Sequence, residues 1–226
     1  TGRLDGRYRT GGLVGYNVGI INNSYTNGNI SGSMNYVGGL VGYNLGSATK
    51  IHNSYATGTV VGEGNYVGGL VGWTNGEVND SYFVGAVTGK QRVGGLIGDN
   101  GGSVQNCHSA GNTSGTDNAG ALVGWNRDGS LDNCHSTGNA SGNDNVGGLC
   151  GYSEVAGESI TNCSASGAVE GTDLVGGLLG ISKYAVVSNC SASGPVEGRY
   201  HVGGLAGRSS NSGSKFVDCH SLGKVT

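Results

Sequence analysis

The segment Val37-Gly38-Gly39-Leu40-Val41-Gly42-Tyr43-Asn44 decides the fold of this chain, because it recurs from one end to the other. Further copies occupy residues 67–74, 93–100, 146–153, 175–182 and 202–209, with substituted copies at 10–17 and 119–126. Leucines separated by 26 to 30 residues mark the eight copies: Leu13, Leu40, Leu70, Leu96, Leu122, Leu149, Leu178 and Leu205. A period in this range predicts one supersecondary unit per repeat, which buries its apolar side against its neighbours.

A second signature follows each copy and indicates strands. It begins with an apolar residue, any residue, Asn or Asp, and Ser or Cys. Small, polar and apolar residues with two glycines follow, as in 51–62, 104–115 and 160–171. The apolar stretches are short, and none keeps the spacing of a helix. We therefore predict an all-β chain. Residues 1–226 should form one domain, a right-handed parallel β-helix (β-solenoid) of eight coils of about 27 residues.

Period-two alternation assigns the faces of these strands. The Ser or Cys column should point inward, together with the residues two and six positions later. The Asn or Asp before it, as in Asn53 and Asn106, should form a stacked amide ladder that satisfies backbone groups at a turn. Glycines should supply the corners where φ is positive.

These residues resemble a known repeat. The Gly39-Leu40-Val41-Gly42 core and the following Asn53-to-Gly58 stretch, Asn-Ser-Tyr-Ala-Thr-Gly, are similar to the GLUG repeat. That repeat is similar to segments of large bacterial surface proteins, including adhesins and the non-catalytic parts of immunoglobulin-A-specific metallopeptidases. The resemblance implies an extracellular bacterial setting, at the cell surface or secreted. It implies no single activity, because the repeat is a scaffold.

Composition and motifs narrow the function further. A formal net charge of −3 gives no excess of positive charge that would attract nucleic acid. No apolar run is long enough for membrane insertion. The sequence has no metallopeptidase, serine-hydrolase or phosphate-loop motif. We therefore predict that the chain is not an enzyme.

Five of the six cysteines share one column, at spacings of 27, 29, 27 and 29 residues: Cys107, Cys134, Cys163, Cys190 and Cys219. We favour buried free thiols, because side chains in register run parallel and do not converge for a disulfide. Bridging between rungs and metal binding are the alternatives.

Two aromatic columns are candidate binding surfaces for a host or cell-surface protein or a glycan. Their proposed contact residues are Tyr25, Tyr55, Tyr82, Tyr43, Trp73 and Trp125. Exposed aromatic stripes are common at recognition surfaces, but stacking of the rings on one another explains them equally naturally. His108 and His135 continue the first column and are a weaker candidate for a shared metal.

Carboxylates line up at equivalent corners of three coils, at Asp117, Asp144 and Asp173. Stacked like charges repel unless a cation bridges them, so calcium is a candidate ligand here. No other cofactor is expected.

The sequence favours a non-enzymatic extracellular protein that acts as a stalk, adhesin segment or filament subunit. The alternative is a non-catalytic scaffold or docking region of a larger secreted peptidase or other enzyme. An ice- or polysaccharide-binding module is a minor alternative. Because neither end of the chain has an obvious cap, we also expect self-association end to end.

Overall fold

The computed structural model describes residues 2–226, and for residues 156–159 it describes the backbone alone. Every regular element of the described residues is a strand. The strands pair in parallel and in register with the equivalent strands of the coils before and after. The predicted all-β parallel solenoid is therefore confirmed, with three sheets running along the stack.

The first sheet has 13 strands and carries the outward tyrosines. Its strands are β1 (Gly2–Gly6), β5 (Tyr25–Gly32), β9 (Tyr55–Gly62), β13 (Tyr82–Thr88), β17 (His108–Ala110), β18 (Thr113–Ser114), β22 (His135–Ser136), β23 (Ala140–Ser141), β26 (Ser164–Ala165), β27 (Val169–Glu170), β30 (Ser191–Ala192), β31 (Val196–Glu197) and β35 (His220–Ser221).

The second sheet has eight short strands, just before each leucine of the repeat. They are β2 (Thr10–Gly11), β6 (Val37–Gly38), β10 (Val67–Gly68), β14 (Gln91–Gly94), β19 (Asp117–Gly120), β24 (Asp144–Gly147), β28 (Asp173–Gly176) and β32 (Tyr200–Gly203).

The third sheet has 14 strands and closes each coil. They are β3 (Val14–Asn17), β4 (Ile20–Asn22), β7 (Val41–Asn44), β8 (Lys50–His52), β11 (Val71–Thr74), β12 (Glu77–Asn79), β15 (Ile97–Asn100), β16 (Ser103–Gln105), β20 (Val123–Asn126), β21 (Ser130–Asp132), β25 (Cys150–Thr161), β29 (Leu179–Ser188), β33 (Ala206–Ser210) and β34 (Lys215–Val217).

The leucine column forms the centre of the core. The six inner leucines, Leu40 to Leu178, have no exposed surface, and each backbone N–H donates to the leucine carbonyl of the next coil, as Leu70 does to Leu96 at 2.8 Å. The glycines before the leucine allow this close approach. A Cβ at Gly38 or Gly39 would collide with backbone oxygens of Val41 and Gly69, so glycine is required at these two positions. The fifth copy keeps the first glycine, Gly120, and accommodates Ala121 at the second position.

The corner before the Ser or Cys column has a left-handed backbone conformation. Its eight residues are Asn or Asp with φ between 45° and 54°, so positive φ occurs here as well as at glycines such as Gly58 and Gly85. Asn and Asp tolerate this left-handed conformation, and their side chains form the predicted ladder: Asn133 Nδ2 donates to Asn106 Oδ1 at 2.8 Å and Asn106 Nδ2 donates to Asp80 Oδ1 at 3.0 Å.

The Ser or Cys column points inward, as predicted, and behaves as one chemical series. Ser54 Oγ donates to His52 O at 2.7 Å, and Cys134 Sγ makes the same contact with Asp132 O at 3.3 Å. Cys107, Cys134, Cys163 and Cys190 are buried, Cys219 is partly buried, and all are free thiols. Serine and cysteine therefore fill the same space and make the same bond in different coils.

A buried amide column in the third sheet was not foreseen. Asn17 Nδ2 donates to Asn44 Oδ1 at 2.7 Å, and Asn44 Nδ2 donates to Thr74 Oγ1 at 2.9 Å. In the coil after that of Thr74, Asn100 Nδ2 donates to Asn126 Oδ1 of the next coil at 2.8 Å. These contacts satisfy polar side chains inside the core, where an unpaired amide would be costly.

Replacing Leu122 with Ala should lower the free energy of unfolding by about 2–5 kcal/mol, because the neighbouring rungs are held in register and collapse poorly into the cavity. Urea denaturation followed by circular dichroism measures this. Leu13→Ala is the matched control, since Leu13 occupies the same column but is 47% exposed. Equal losses in the two variants would contradict the central role of the buried leucines.

Candidate functional surface: the outward aromatic ladders

The outward tyrosines of the first sheet form a continuous ladder with two histidines. Ring centroids are separated by 5.1 Å for Tyr25 and Tyr55, 4.8 Å for Tyr55 and Tyr82, 4.9 Å for Tyr82 and His108, and 5.0 Å for His108 and His135. The planes of neighbouring rings differ by only 4° to 8°. In-register pairing of the strands imposes this stack, because equivalent residues lie one rung apart.

Stacking changes what this ladder offers to a ligand. Each inner ring has a neighbour on both faces, so the faces that a sugar would contact are occupied and the ring edges face solvent. Burial, and then the neighbouring His135, lower the pKa of His108, which favours its neutral form. The two imidazoles lie face to face and do not converge on one point. The stacking interpretation of this column is the one the geometry supports.

The second aromatic column lies on the third sheet and is interrupted. Tyr16 stacks on Tyr43 at 5.6 Å, and Tyr43 stacks on Trp73 at 4.5 Å. The next residue in register is Asp99, after which Trp125 resumes the column. The predicted residues Tyr43, Trp73 and Trp125 therefore share one column, but they do not form one uninterrupted aromatic surface.

A neighbouring column of tyrosines widens this surface at the end of the second sheet. Tyr36 stacks on Tyr66 at 4.6 Å and meets Tyr43 edge-on at 4.8 Å. Burial, followed by the nearby tyrosines, raises the pKa of Tyr36 to about 12. Tyr36 and Tyr66 were not predicted as surface residues. Their position directly before the repeated Val-Gly-Gly-Leu segment was the available signal.

An ion pair fills the interruption in the second aromatic column. Arg92 Nη1 lies 2.8 Å from Asp99 Oδ2, and Arg127 Nη2 lies 3.5 Å from Asp99 Oδ1. The Arg92 guanidinium also lies 3.9 Å from the ring centroid of Trp125 and 4.6 Å from that of Tyr66. Burial raises the pKa of Asp99, and the two arginines oppose that rise. The planar guanidinium thus takes the place of a ring.

Replacing Arg92 with Met should destabilise the chain by about 3 kcal/mol, because it leaves a buried carboxylate with only the more distant Arg127. Arg92→Tyr combined with Asp99→Trp restores an aromatic rung and should recover most of the loss. A double-mutant cycle on the free energy of unfolding measures the coupling, about 2 kcal/mol. Additive effects would show that the two positions act independently.

The three aspartates are brought into one column on the second sheet, as predicted. Asp117 pairs in register with Asp144, and Asp144 with Asp173. Two of them already have partners: Gln91 Nε2 donates to Asp117 Oδ2 at 3.1 Å, and His201 Nδ1 lies 2.6 Å from Asp173 Oδ1. Among the described residues, no group of three or more His, Cys, Asp or Glu side chains is arranged to hold a metal ion. Calcium stays a prediction without added support.

Asp144→Asn should raise the melting temperature at pH 7. Partial burial and the charges of Asp117 and Asp173 raise the pKa of Asp144 in the folded chain, so folding loses stability as pH rises through the carboxylate range. The gain should vanish below about pH 3.9, where this group is protonated in both states. Melting curves of the two proteins between pH 3 and pH 7 test this. A gain that persists at pH 3 would contradict a charge effect.

Concave features of the described surface are shallow. One of about 410 Å³ opens on the first sheet and is lined by Gly2, Arg3, Asn27, Gly28, Asn29, Thr57 and Gly58. This lining has no carboxylate, imidazole or thiol to act as a general base. The depression offers amide and hydroxyl groups for hydrogen bonding and nothing that activates a nucleophile.

The family comparison agrees with this repeat geometry. The model of the GLUG motif matches residues 35–61 and 142–170, which contain the second and sixth copies of the repeat. The chain carries GLUG motifs. Each matched segment contains both the leucine-core segment of its coil and the corner that follows it, Asn53-Ser54 in the first and Asn162-Cys163 in the second. These are elements that stack in the solenoid.

Among solved structures, the GLUG-motif chain is similar to a candidate immunoglobulin A1 protease from Bacteroides ovatus, whose crystal structure was determined at 1.30 Å. The TM-score is 0.53 at 17% sequence identity, over 87% of this chain and 60% of that one. At this identity the likeness concerns the fold, and the chain spans 60% of that relative's length. No curated protein matches the sequence.

The motif and the shared fold fit a non-catalytic β-helix region. The described residues include no helix with the length and apolar character needed to cross a bilayer.

Proposed function

We propose that this chain is a non-catalytic, extracellular segment of a bacterial surface or secreted protein and that it acts as a rigid stalk. GLUG motifs and a fold shared with a candidate immunoglobulin A1 protease support the extracellular setting. In a larger peptidase the same segment would serve as a scaffold that holds a catalytic domain, which is the alternative form of this proposal.

The observation that carries the stalk proposal is that the ladders tie each rung to the next. Aromatic rings, corner amides and buried amides repeat along the axis at the strand spacing. Because the stacked rings use their faces on one another, the ladder's main contribution is cohesion between coils. A body whose neighbouring rungs are joined in several places resists bending and extension.

Single-molecule pulling on the whole chain tests the stalk. Unfolding should proceed in steps of about one coil, and Tyr55→Ser with Tyr82→Ser should lower the unfolding force, because it removes three stacked contacts from the ladder. Tyr200→Ser is the control, since Tyr200 is 49% exposed and forms no ring stack within the described residues. Equal forces in all three proteins would refute a load-carrying ladder.

Incubation of the purified chain with immunoglobulin A1 tests the non-catalytic part of the proposal. We expect the immunoglobulin to remain intact, because equivalent side chains of stacked rungs run parallel and do not converge as the groups of a catalytic centre must. Cleavage that survives removal of trace proteases by a second purification would overturn it.

A second candidate, an adhesin segment, is favoured by one exposed cluster. Tyr8 and Tyr16 are 49% and 42% exposed, and the Arg9 guanidinium lies 5.4 Å and 4.8 Å from their ring centroids. Tyrosine and arginine are typical anchors of protein interfaces. Binding to arrays of host proteins and glycans should fall for Tyr8→Ser with Tyr16→Ser and be unchanged for Tyr200→Ser. An array without signal for the unaltered chain would count against this candidate.

A further inference from the structure

The five-cysteine column is a run of free thiols, four of them buried, that the proposed stalk does not need. The residues flanking Cys134 and Cys163 pair in register on both sides, Asp132 with Thr161 and His135 with Ser164. The same holds along the column from Cys107 to Cys219. The five thiols therefore follow one another along the axis, one per rung.

The thiols share one orientation. Each Sγ donates to the carbonyl two residues earlier, at 3.1 Å for Cys107, 3.3 Å for Cys134, 3.0 Å for Cys163, 3.1 Å for Cys190 and 3.2 Å for Cys219. Each Sγ also lies 3.4 to 3.7 Å from a backbone carbonyl oxygen of the preceding rung. The column is thus a continuous line of sulfur atoms inside the core.

This arrangement selects one kind of ligand. Parallel side chains one rung apart do not present the torsion of a disulfide, and no group of three metal-ligating side chains exists among the described residues, which disfavours tetrahedral zinc. Two adjacent sulfurs can still hold an ion between them. The rung spacing of about 4.8 Å is close to twice a metal–thiolate bond of about 2.3 Å, so the ion would lie on the line that joins the two sulfurs.

We propose that the run Cys107, Cys134, Cys163, Cys190 and Cys219 is a binding site for soft monovalent cations, Cu(I) or Ag(I), each held by two sulfurs of adjacent rungs. Thiolates prefer soft metals of this kind, and ions with a filled d shell accept linear two-coordination. The surrounding aliphatic side chains have no atoms that coordinate an ion. Selectivity therefore comes from the sulfurs and their spacing.

Binding exchanges protons for metal and involves no oxidation. For one pair, two thiols release two protons, two sulfur–metal bonds form, and the complex carries one negative charge. Each sulfur serves one ion, because a thiolate sulfur that bridged two ions on the same line would need a straight metal–sulfur–metal angle. A filled run therefore holds two ions in two separate pairs, releases four protons and leaves one thiol protonated. Each pair carries a single negative charge, which limits the cost of burying it.

The sequence itself marks where the site begins. Ser24, Ser54 and Ser81 occupy the same column in the first three coils, and Ser81 Oγ donates to Asn79 O at 2.7 Å just as the thiols do. A hydroxyl is a hard, weak ligand for these ions, so the site starts at Cys107. Serine is also a structurally matched replacement for each cysteine of the run.

The test uses the reduced whole chain with Cys150→Val, which removes the sixth thiol. Ag(I) in chloride-free buffer, or Cu(I) under anaerobic conditions, is added in excess, and unbound metal is removed by gel filtration. Bound metal per chain is measured by elemental mass spectrometry while circular dichroism verifies that the chain is folded. We expect up to two ions per chain, and X-ray absorption should give two sulfur neighbours per ion.

Two variants with equal thiol counts separate adjacency from thiol content. Cys107→Ser with Cys219→Ser leaves three consecutive thiols and should retain about one ion per chain. Cys134→Ser with Cys190→Ser leaves three thiols with no adjacent pair and should retain none after gel filtration. Equal binding by the two variants would overturn the proposal.

Stability supplies an independent readout. Metal that binds the folded run should raise the melting temperature of the consecutive-thiol variant and leave that of the separated variant unchanged. A lowered melting temperature on metal addition would show binding to the unfolded chain and would also overturn the site, as would three or four sulfur neighbours per ion.

Discussion

Registered parallel stacking is the constraint on which the rest of this molecule depends. Every rung donates backbone hydrogen bonds to equivalent residues of the next, as the leucine amides do along the core. The register is supported by the glycine two residues before each leucine, where the backbone approaches the neighbouring rung closely and a side chain would collide with it. A slip of one residue would bring these glycines opposite bulky side chains and turn the leucine outward.

Once the register is fixed, each residue lies beside the equivalent residue of the next rung. Groups that are attracted to copies of themselves form ladders, and this is why amides, rings and thiols recur in columns. Groups that repel their copies are disfavoured, as the raised pKa of Asp144 between two other aspartates indicates. Where the aromatic column is interrupted, Arg92 and Asp99 form an ion pair, because either charge alone would be buried without an opposite charge beside it.

The same stacking limits the surface chemistry. Equivalent side chains run parallel and rarely converge, so a stack of similar rungs is poorly suited to the convergent groups of a catalytic centre. It is well suited to linear arrays, whose members are spaced by one strand. The proposed stalk uses such arrays for cohesion, and the proposed cation site uses one as a row of paired ligands. Both proposals depend on spacing along the axis more than on any single residue.

The sequence by itself determined the solenoid, its eight coils, the leucine core and the inward cysteine column, because a repeat of this length repeats one local structure and alternation assigns the faces. It also identified the individual residues of the tyrosine column and of the aspartate column. The tertiary structure decided the rest. The rings of Tyr55 and Tyr82 are covered by their neighbours, a fact that depends on side-chain rotamers that periodicity does not encode. The Arg92–Asp99 pair joins residues of two sheets across a corner. The stacked ladder of the Asn and Asp corners was predicted, but their left-handed backbone depends on a turn geometry that period-two alternation does not encode.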